Sequence, residues 1–390
     1  MGSARCRWYL PHELIVEILS YIPVKGLMRW RCVSKPWNDL VLDPTFVKLH
    51  LQRSSKNIHM LYTWKPILDP KGFRCGPSSM HCSTVQGILE HPSSAVNGGE
   101  VPCEFDNPID IIGTCNGLVC LRVIEPFDEN DVYNEVYIRF WNPSMRITSD
   151  LSPPLESQIL CYSRSCVSLG FGYDDSSDTY KVLALVMKQK STNIEVSVHC
   201  LGDKFWRKIA NAPTDTRIER YKGHFLSGTL NWMARHVQRT DEHVIFSFDL
   251  RKDTYRYLSM PDGLETMERF QAELGILKGC LCLGAYDIQS DADFSLWQMK
   301  EFGVRESWTL LMITSCVYLQ IDSIVPWAFE PRPLRIYENG DVLLLMNRSR
   351  FKLFLYNKKD NRMQNIETIN KSICLHTSDF VQTLVLPYCN

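Results

Sequence analysis

The chain has 390 residues, of which 45% are hydrophobic and 22% charged, with a formal net charge of −1. That length accommodates two or three domains, or one small module and one large one. Nothing in so even a charge balance favours nucleic acid or an acidic membrane surface, and no apolar run reaches the roughly 18 residues a membrane span needs.

The first patterned stretch runs from Leu10 to Leu51. After Pro11, which suits a helix start, Leu14, Ile15, Ile18, Leu19 and Ile22 recur at helical period, with Glu13, Glu17 and Ser20 opposite. Pro23 stops this helix and can open a second, in which Val24, Leu27, Trp30 and Val33 share a face while Lys25, Arg29 and Arg31 turn mostly to water. Ser34 can cap a third helix whose first turn tolerates Pro36, whose buried side is Trp37, Leu40 and Val41, and which Asp43-Pro44 ends. Of these 42 residues 22 are apolar, about 52% against 45% for the chain, which is more than so small a core can hide. Val16, Met28 and Leu42 fall off the stripes and are the apolar residues predicted to be left for a second molecule. Residues 1 to 53 also carry a net charge of about +4, from eight Lys or Arg against four acids, which would steer an acidic partner.

This string resembles an F-box: Leu10-Pro11, Leu14-Ile15, Ile18-Leu19, Ile22-Pro23-Val24, Leu27, Trp30-Arg31-Cys32-Val33-Ser34-Lys35 and Trp37 stand in the family's order without a gap. Pro36 departs from many members, but a first-turn amide has no acceptor within the helix to lose. The resemblance implies docking on a Skp-type adaptor, acidic in that family, and through it on a cullin and a RING protein. The residues expected to meet the adaptor are Leu10, Pro11, Leu14, Ile15, Val16, Ile18, Leu19, Pro23, Val24, Leu27, Met28, Trp30, Val33, Trp37 and Leu42.

Beyond about residue 56 the period shortens from 3.6 to 2. Tyr180 to Val186, Val244 to Phe248 and Val342 to Leu345 are short, rich in β-branched or aromatic residues, and bounded by Gly, Asn, Asp or Pro. A Gly-x-apolar-x-apolar strand recurs at Gly117, Gly228, Gly279 and Gly340, with gaps of 111, 51 and 61 residues, the first about twice the others. Gly170-Phe171-Gly172-Tyr173-Asp174-Asp175 and the strand from Tyr180 fill the middle of that gap. A second register trails the first at Phe140-Trp141-Asn142, Phe248-Asp249-Leu250, Leu296-Trp297-Gln298 and Leu355-Tyr356-Asn357. A unit of 50 to 60 residues holding about four strands is the size of a β-propeller blade, because each twisted sheet covers its apolar faces only by packing on its neighbours.

The predicted architecture is therefore α+β and multidomain: a small N-terminal three-helix F-box over residues 8–52, then an all-β, propeller-like domain of about six blades over residues 57–390. The second part resembles the F-box-associated domains of large plant F-box families, sometimes called F-box/kelch-like. The shared motifs are Ile112 to Cys120, Trp141-Asn142-Pro143, Gly170 to Asp174 with Tyr180-Lys181-Val182, and Glu306-Ser307-Trp308. A literal kelch motif is absent, since the only Gly pair is Gly98-Gly99.

For catalysis the reading is negative: there is no GxSxG, HExxH, P-loop or GxGxxG. Asp174-Asp175-Ser176-Ser177-Asp178 has the composition of a calcium loop but lacks its Gly and distal Glu, and is read as a turn. His199, His224, His236 and His243 stand at no diagnostic spacing. Among the 15 cysteines, Cys115 and Cys120, Cys161 and Cys166, and Cys280 and Cys282 lack CxxC spacing, so core thiols are expected, with no metal and no cofactor. No signal peptide precedes Leu10, which points to the cytoplasm or nucleus rather than export. Trp206, Trp232, Trp297, Trp308 and Trp327 are expected in blade cores, and segments 86–100 and 124–136 on a variable rim.

The function these readings imply is a non-catalytic substrate receptor of a Skp-cullin-F-box ubiquitin ligase, with the adaptor on the F-box and a target protein on the propeller. Two alternatives stay open. One is a propeller that captures a glycan or small molecule, which needs exposed Trp or Tyr for stacking. The other is a propeller hydrolase or oxidoreductase, which needs acids or histidines converging at the channel mouth.

Overall fold

A computed structural model describes residues 10–54, 58–64, 78–84, 103–105, 107, 109–123, 135–155, 167–187, 193–210, 213, 215–220, 222–236, 242–264, 270–287, 293–316, 318–319, 331–347, 351–369 and 378–388. Four helices lead the chain: α1 His12–Leu19, α2 Val24–Trp30, α3 Lys35–Leu42 and α4 Pro44–Ser54. Pro11 and Pro23 stand at the N-caps of α1 and α2. The Ser34 hydroxyl accepts from the Trp37 amide at 3.4 Å to cap α3, with Pro36 in the first turn where its missing N–H costs nothing.

The expected three-helix module is thus a four-helix one. Asp43-Pro44 does end α3, but the same pair starts α4: the Asp43 carboxylate accepts the Phe46 amide at 3.0 Å and Pro44 takes the first helical position. α4 is stapled to α1 by Arg53, which donates to the Glu17 carboxylate at 2.8 Å and to the Ser20 hydroxyl, and lies 4.2 Å over the Tyr21 ring. His50, fully buried, meets the Ile22 carbonyl through Nε2 at 2.9 Å and the Ser54 hydroxyl through Nδ1 at 3.2 Å.

The described strands fall into six antiparallel sheets, matching the expected number of blades. Blade 1 is Ile109–Cys115, Leu118–Val123, Tyr137–Asn142 and Ile147–Thr148. Blade 2 is Val167–Asp174, Thr179–Met187, Ile194–Cys200 and Arg207–Ile209. Blade 3 takes Thr216–Ile218 and His224–Leu226 beside Thr229–His236, followed by His243–Asp249 and Thr254–Leu258. Blade 4 is Phe270–Leu277, Cys280–Asp287, Asp293–Met299 and Trp308–Ser315, and blade 5 is Arg332–Ile336, Val342–Asn347, Phe351–Asn357 and Arg362–Ile369. Blade 6 combines the two ends of the β-region: Ser378–Val381 pairs with Ile58–Trp64, which pairs with Ser78–Thr84 and then Cys103–Phe105.

Both sequence registers map onto this plan. The four repeat glycines precede the second strand of their blades, and the trailing aromatic triplets lie on or at the end of third strands. At Asn116-Gly117 (φ 50° and 78°) and Ser227-Gly228 (φ 49° and 78°) two successive residues have positive φ, as the tight hairpin turns favoured by sheet twist require. Blade 2 breaks the motif because its equivalent turn, 175–178, is longer and has Asp178 rather than Gly at positive φ.

Packing between blades explains why the strands read as continuous apolar runs rather than clean alternations. In blade 2, Val182, Ala184 and Val186 belong to a cluster with Leu118, Cys120 and Phe140 of blade 1, while Leu183 and Leu185 pack with Leu230, Trp232 and Phe246 of blade 3. Both sheet faces are covered, so both need apolar residues. The Gly170-x-Gly172 pair has the same origin. A Cβ on Gly170 would lie 2.6 Å from the Trp232 ring, and one on Gly172 would lie 2.3 Å from Phe225. These glycines make room for the neighbouring blade and form no phosphate loop.

Candidate functional site

The helical module sorts its apolar residues into two sets. Leu19, Val24, Leu27, Val41 and Phe46 are fully buried in one cluster, with Ile15, Val16, Ile22, Met28, Trp30, Trp37, Leu40 and Val47 half-buried around it. Trp30 and Trp37 pack ring to ring at 5.6 Å between α2 and α3. Leu10, Leu14, Ile18, Tyr21 and Val33 instead remain 58%, 49%, 50%, 67% and 66% exposed. Leu14 and Ile18 stand at i and i+4 on α1, displaced by about 100° from the line of Ile15 and Leu19, and Tyr21 and Ile22 follow at the next spacing in the turn after the helix. Two apolar lines therefore start on α1, and among the described residues only the one through Ile15 and Leu19 packs into the module's apolar cluster.

Against the predicted contact set, Leu10, Pro11, Leu14, Ile18, Pro23 and Val33 are exposed, and Ile15, Val16, Met28, Trp30, Trp37 and Leu42 half-buried. Leu19, Val24 and Leu27 are sealed in the interior, so they shape the surface from beneath and cannot touch a second molecule. The residues expected to be left over also change. Val16 and Met28 pack against the module's own cluster, and the spare side chains are those of α1's outer stripe. The sequence pattern places Leu14 and Ile18 on the same helical stripe as Leu19 and also in the expected contact set, because a 3.6-residue pattern does not say how wide the buried face is. Tyr21 was missed, although its spacing of seven from Leu14 was the signal that could have found it.

Lys25, Arg29 and Lys35 on α2 and at the start of α3 are exposed, while Arg31 Nε donates to Asn38 at 3.0 Å. The positive charge predicted for this segment is thus largely at the surface of the module; its members Arg5 and Arg7 lie outside the described residues.

The propeller's described part also exposes large apolar side chains, Phe205, Val304, Leu310, Ile313 and Tyr318 among them. The acidic run at 174–178 is a satisfied turn: Asp174, buried, pairs with Lys181 at 2.7 Å and accepts from the Ser176 amide and the Ser176 and Ser177 hydroxyls. Burial alone would raise its pKa, but the Lys181 ammonium and these donors hold the carboxyl well below its ordinary range. Among the described residues no three His, Cys, Asp or Glu side chains gather to hold a metal. Cys115, Cys120, Cys282 and Cys316 are free thiols in the core, and burial pushes each of them up. Trp232 and Trp308 are buried and Trp206 and Trp297 half-buried within blade clusters, as expected. Segment 86–100, residues 124–134 of the second rim segment, Cys161, Cys166 and Trp327 lie outside the described residues. No helix among the described residues is long and apolar enough to cross a membrane.

Comparison with known proteins matches both parts of the chain. Residues 8–52 match an F-box-like family model, and residues 79–381 match a model described as the F-box associated beta propeller domain. An F-box/kelch-repeat protein of Arabidopsis thaliana is 30% identical over 97% of this chain and 96% of its own length. The F-box protein CPR1 of the same plant is 24% identical over 92% of this chain and 84% of its own. Among solved structures, the periplasmic gluconolactonase of Pseudomonas aeruginosa covers 82% of this chain and 99% of its own at 10% identity, but its TM-score of 0.38 carries no argument.

Proposed function

Because this chain belongs to the F-box proteins that carry an F-box-associated β-propeller, we propose that it is a substrate-recognition subunit of a Skp-cullin-F-box ubiquitin ligase. In this reading residues 8–52 bind a Skp-type adaptor, which brings a cullin and a RING protein, and residues 57–390 hold a target protein. The observation that carries it is the exposed set of Leu10, Leu14, Ile18, Tyr21 and Val33 on a module whose other large apolar side chains are buried or half-buried.

This chain supplies position and no bond chemistry. Holding a target beside a charged conjugating enzyme turns an encounter between free molecules into a local one, with effective concentrations in the millimolar range for short spans. Covering the rest of a half-exposed Leu or Ile contributes on the order of 1 kcal/mol, so several such side chains together give a useful interface.

The test is co-purification of the full chain with a Skp-type adaptor. Leu14→Asp combined with Ile18→Asp places two unpaired charges in the interface and is expected to lower capture at least a hundredfold. Undiminished capture by the doubly charged chain refutes the assignment.

A further inference from the structure

The helical module does not complete its own core. Two of the side chains fully buried in its cluster, Met145 and Leu384, come from the propeller, and Ile147 and Leu386 pack half-buried against the same cluster. Met145 and Ile147 belong to the last hairpin of blade 1, and Leu384 lies three residues beyond Ser378–Val381, the strand that joins the chain's end to blade 6.

The segment carrying Leu384 is pinned from its other side. Asn142, with no exposed surface, donates through Nδ2 to the carbonyls of Thr383 at 3.0 Å and Val385 at 2.7 Å, and accepts the Met145 amide at 3.1 Å. The Ser144 hydroxyl accepts the Thr383 amide at 3.2 Å. Side chains then alternate along the tail: Leu384 and Leu386 enter the helical cluster, while Val385 packs on the cluster shared by blades 1 and 2. A segment with alternate side chains in two cores, and its backbone held by buried side-chain bonds, transmits the state of one core to the other. Its origin is also fixed, since a Cβ on Gly117 would lie 2.4 Å from the Val381 carbonyl oxygen, leaving the blade 1 turn no room to shift against the closing strand. One further link crosses between the parts, the exposed ion pair of Lys48 on α4 with Asp178 of blade 2 at 2.9 Å, and it is too solvated to hold the parts together alone.

We infer that the helical module is conditional on ring closure: residues 382–388 act as a fifth element of its core, so the helices hold their outer surface only while Ser378–Val381 is seated in blade 6. The folding statement stands without any adaptor. Its functional consequence, that a chain with an unseated tail offers no docking surface, rests on the reading proposed above.

Hydrogen exchange on the full chain carrying Leu384→Asp separates the two. The expected result is at least tenfold faster exchange across residues 12–54 with unchanged exchange in 229–236 of blade 3, and at least tenfold weaker adaptor capture, although Leu384 is not on the exposed stripe. Unchanged exchange in the helices overturns the inference. If Leu384→Asp opens every blade, Leu386→Ala decides, with selective acceleration in the helices expected and none overturning it. Accelerated helices with undiminished capture support the conditional fold and count against the adaptor reading.

Discussion

The helical module and the propeller are both built from strongly apolar sequence, yet they differ in where that apolarity ends up. In the propeller the blade 2 sheet lies between those of blades 1 and 3, so its strand Thr179–Met187 buries both faces and its hydrophobicity reports only packing. In the module, α1 has one face against the cluster of Leu19 and Phe46 and another, Leu14, Ile18 and Tyr21, against water. The same residue types are core in one place and surface in the other. Neighbouring structure decides which.

The sharpest break of this contrast lies in the blade core. Trp232, fully buried between blades 2 and 3 against Gly170 and Gly223, should cost about 3–5 kcal/mol when changed to Ala, read by denaturant unfolding. Adaptor capture by the fraction that stays folded should not change. Filling the facing space, Gly170→Ala, should cost about 1–3 kcal/mol by overpacking, since the new methyl meets the buried Trp232 ring and the Leu230 side chain.

Acid should separate the regions next. His50 in the module and His199 in blade 2 are buried, and burial holds both below the ordinary 6.5, opposed only in part by a backbone hydrogen bond to each. Their folded forms are neutral, so the unfolded chain takes protons first. Stability is full above about pH 6.5 and falls as pH drops below it, by at most about 1.4 kcal/mol per pH unit for each histidine, until the folded form also protonates. Thermal unfolding at pH 7.5 and 5.5 should show this loss, and His50→Gln should reduce it. A midpoint unchanged between those two pH values contradicts the neutral assignment. The smallest effect belongs to Lys48→Ala, which removes a solvated ion pair and should shift stability by less than about 1 kcal/mol.

Sequence alone revealed the propeller through its turns, because the hairpin geometry at Gly117, Gly228 and their repeats demands a residue free to adopt positive φ, and such positions recur at a countable spacing. It could not reveal that the last strand completes the blade opened by the first strand, since that pairing joins Ile58 to Val381 with no periodic trace. The helix starts at Pro11, Pro23 and Ser34 were legible from capping chemistry. α4 was not, because Asp-Pro serves equally to end one helix and begin another. The candidate surface was legible as a segment and blurred as a set of residues. Leu14 and Leu19 look alike in a helical pattern, and only the position of α2, α3 and the tail distinguishes the one that is covered.

The most direct test of the account is a hydrogen-exchange footprint of the full chain with and without a purified Skp-type adaptor. Slowed exchange is expected across residues 10–33 with the blade strands unaltered. Slowing confined to the blades, or no slowing with adaptor in excess, would contradict it.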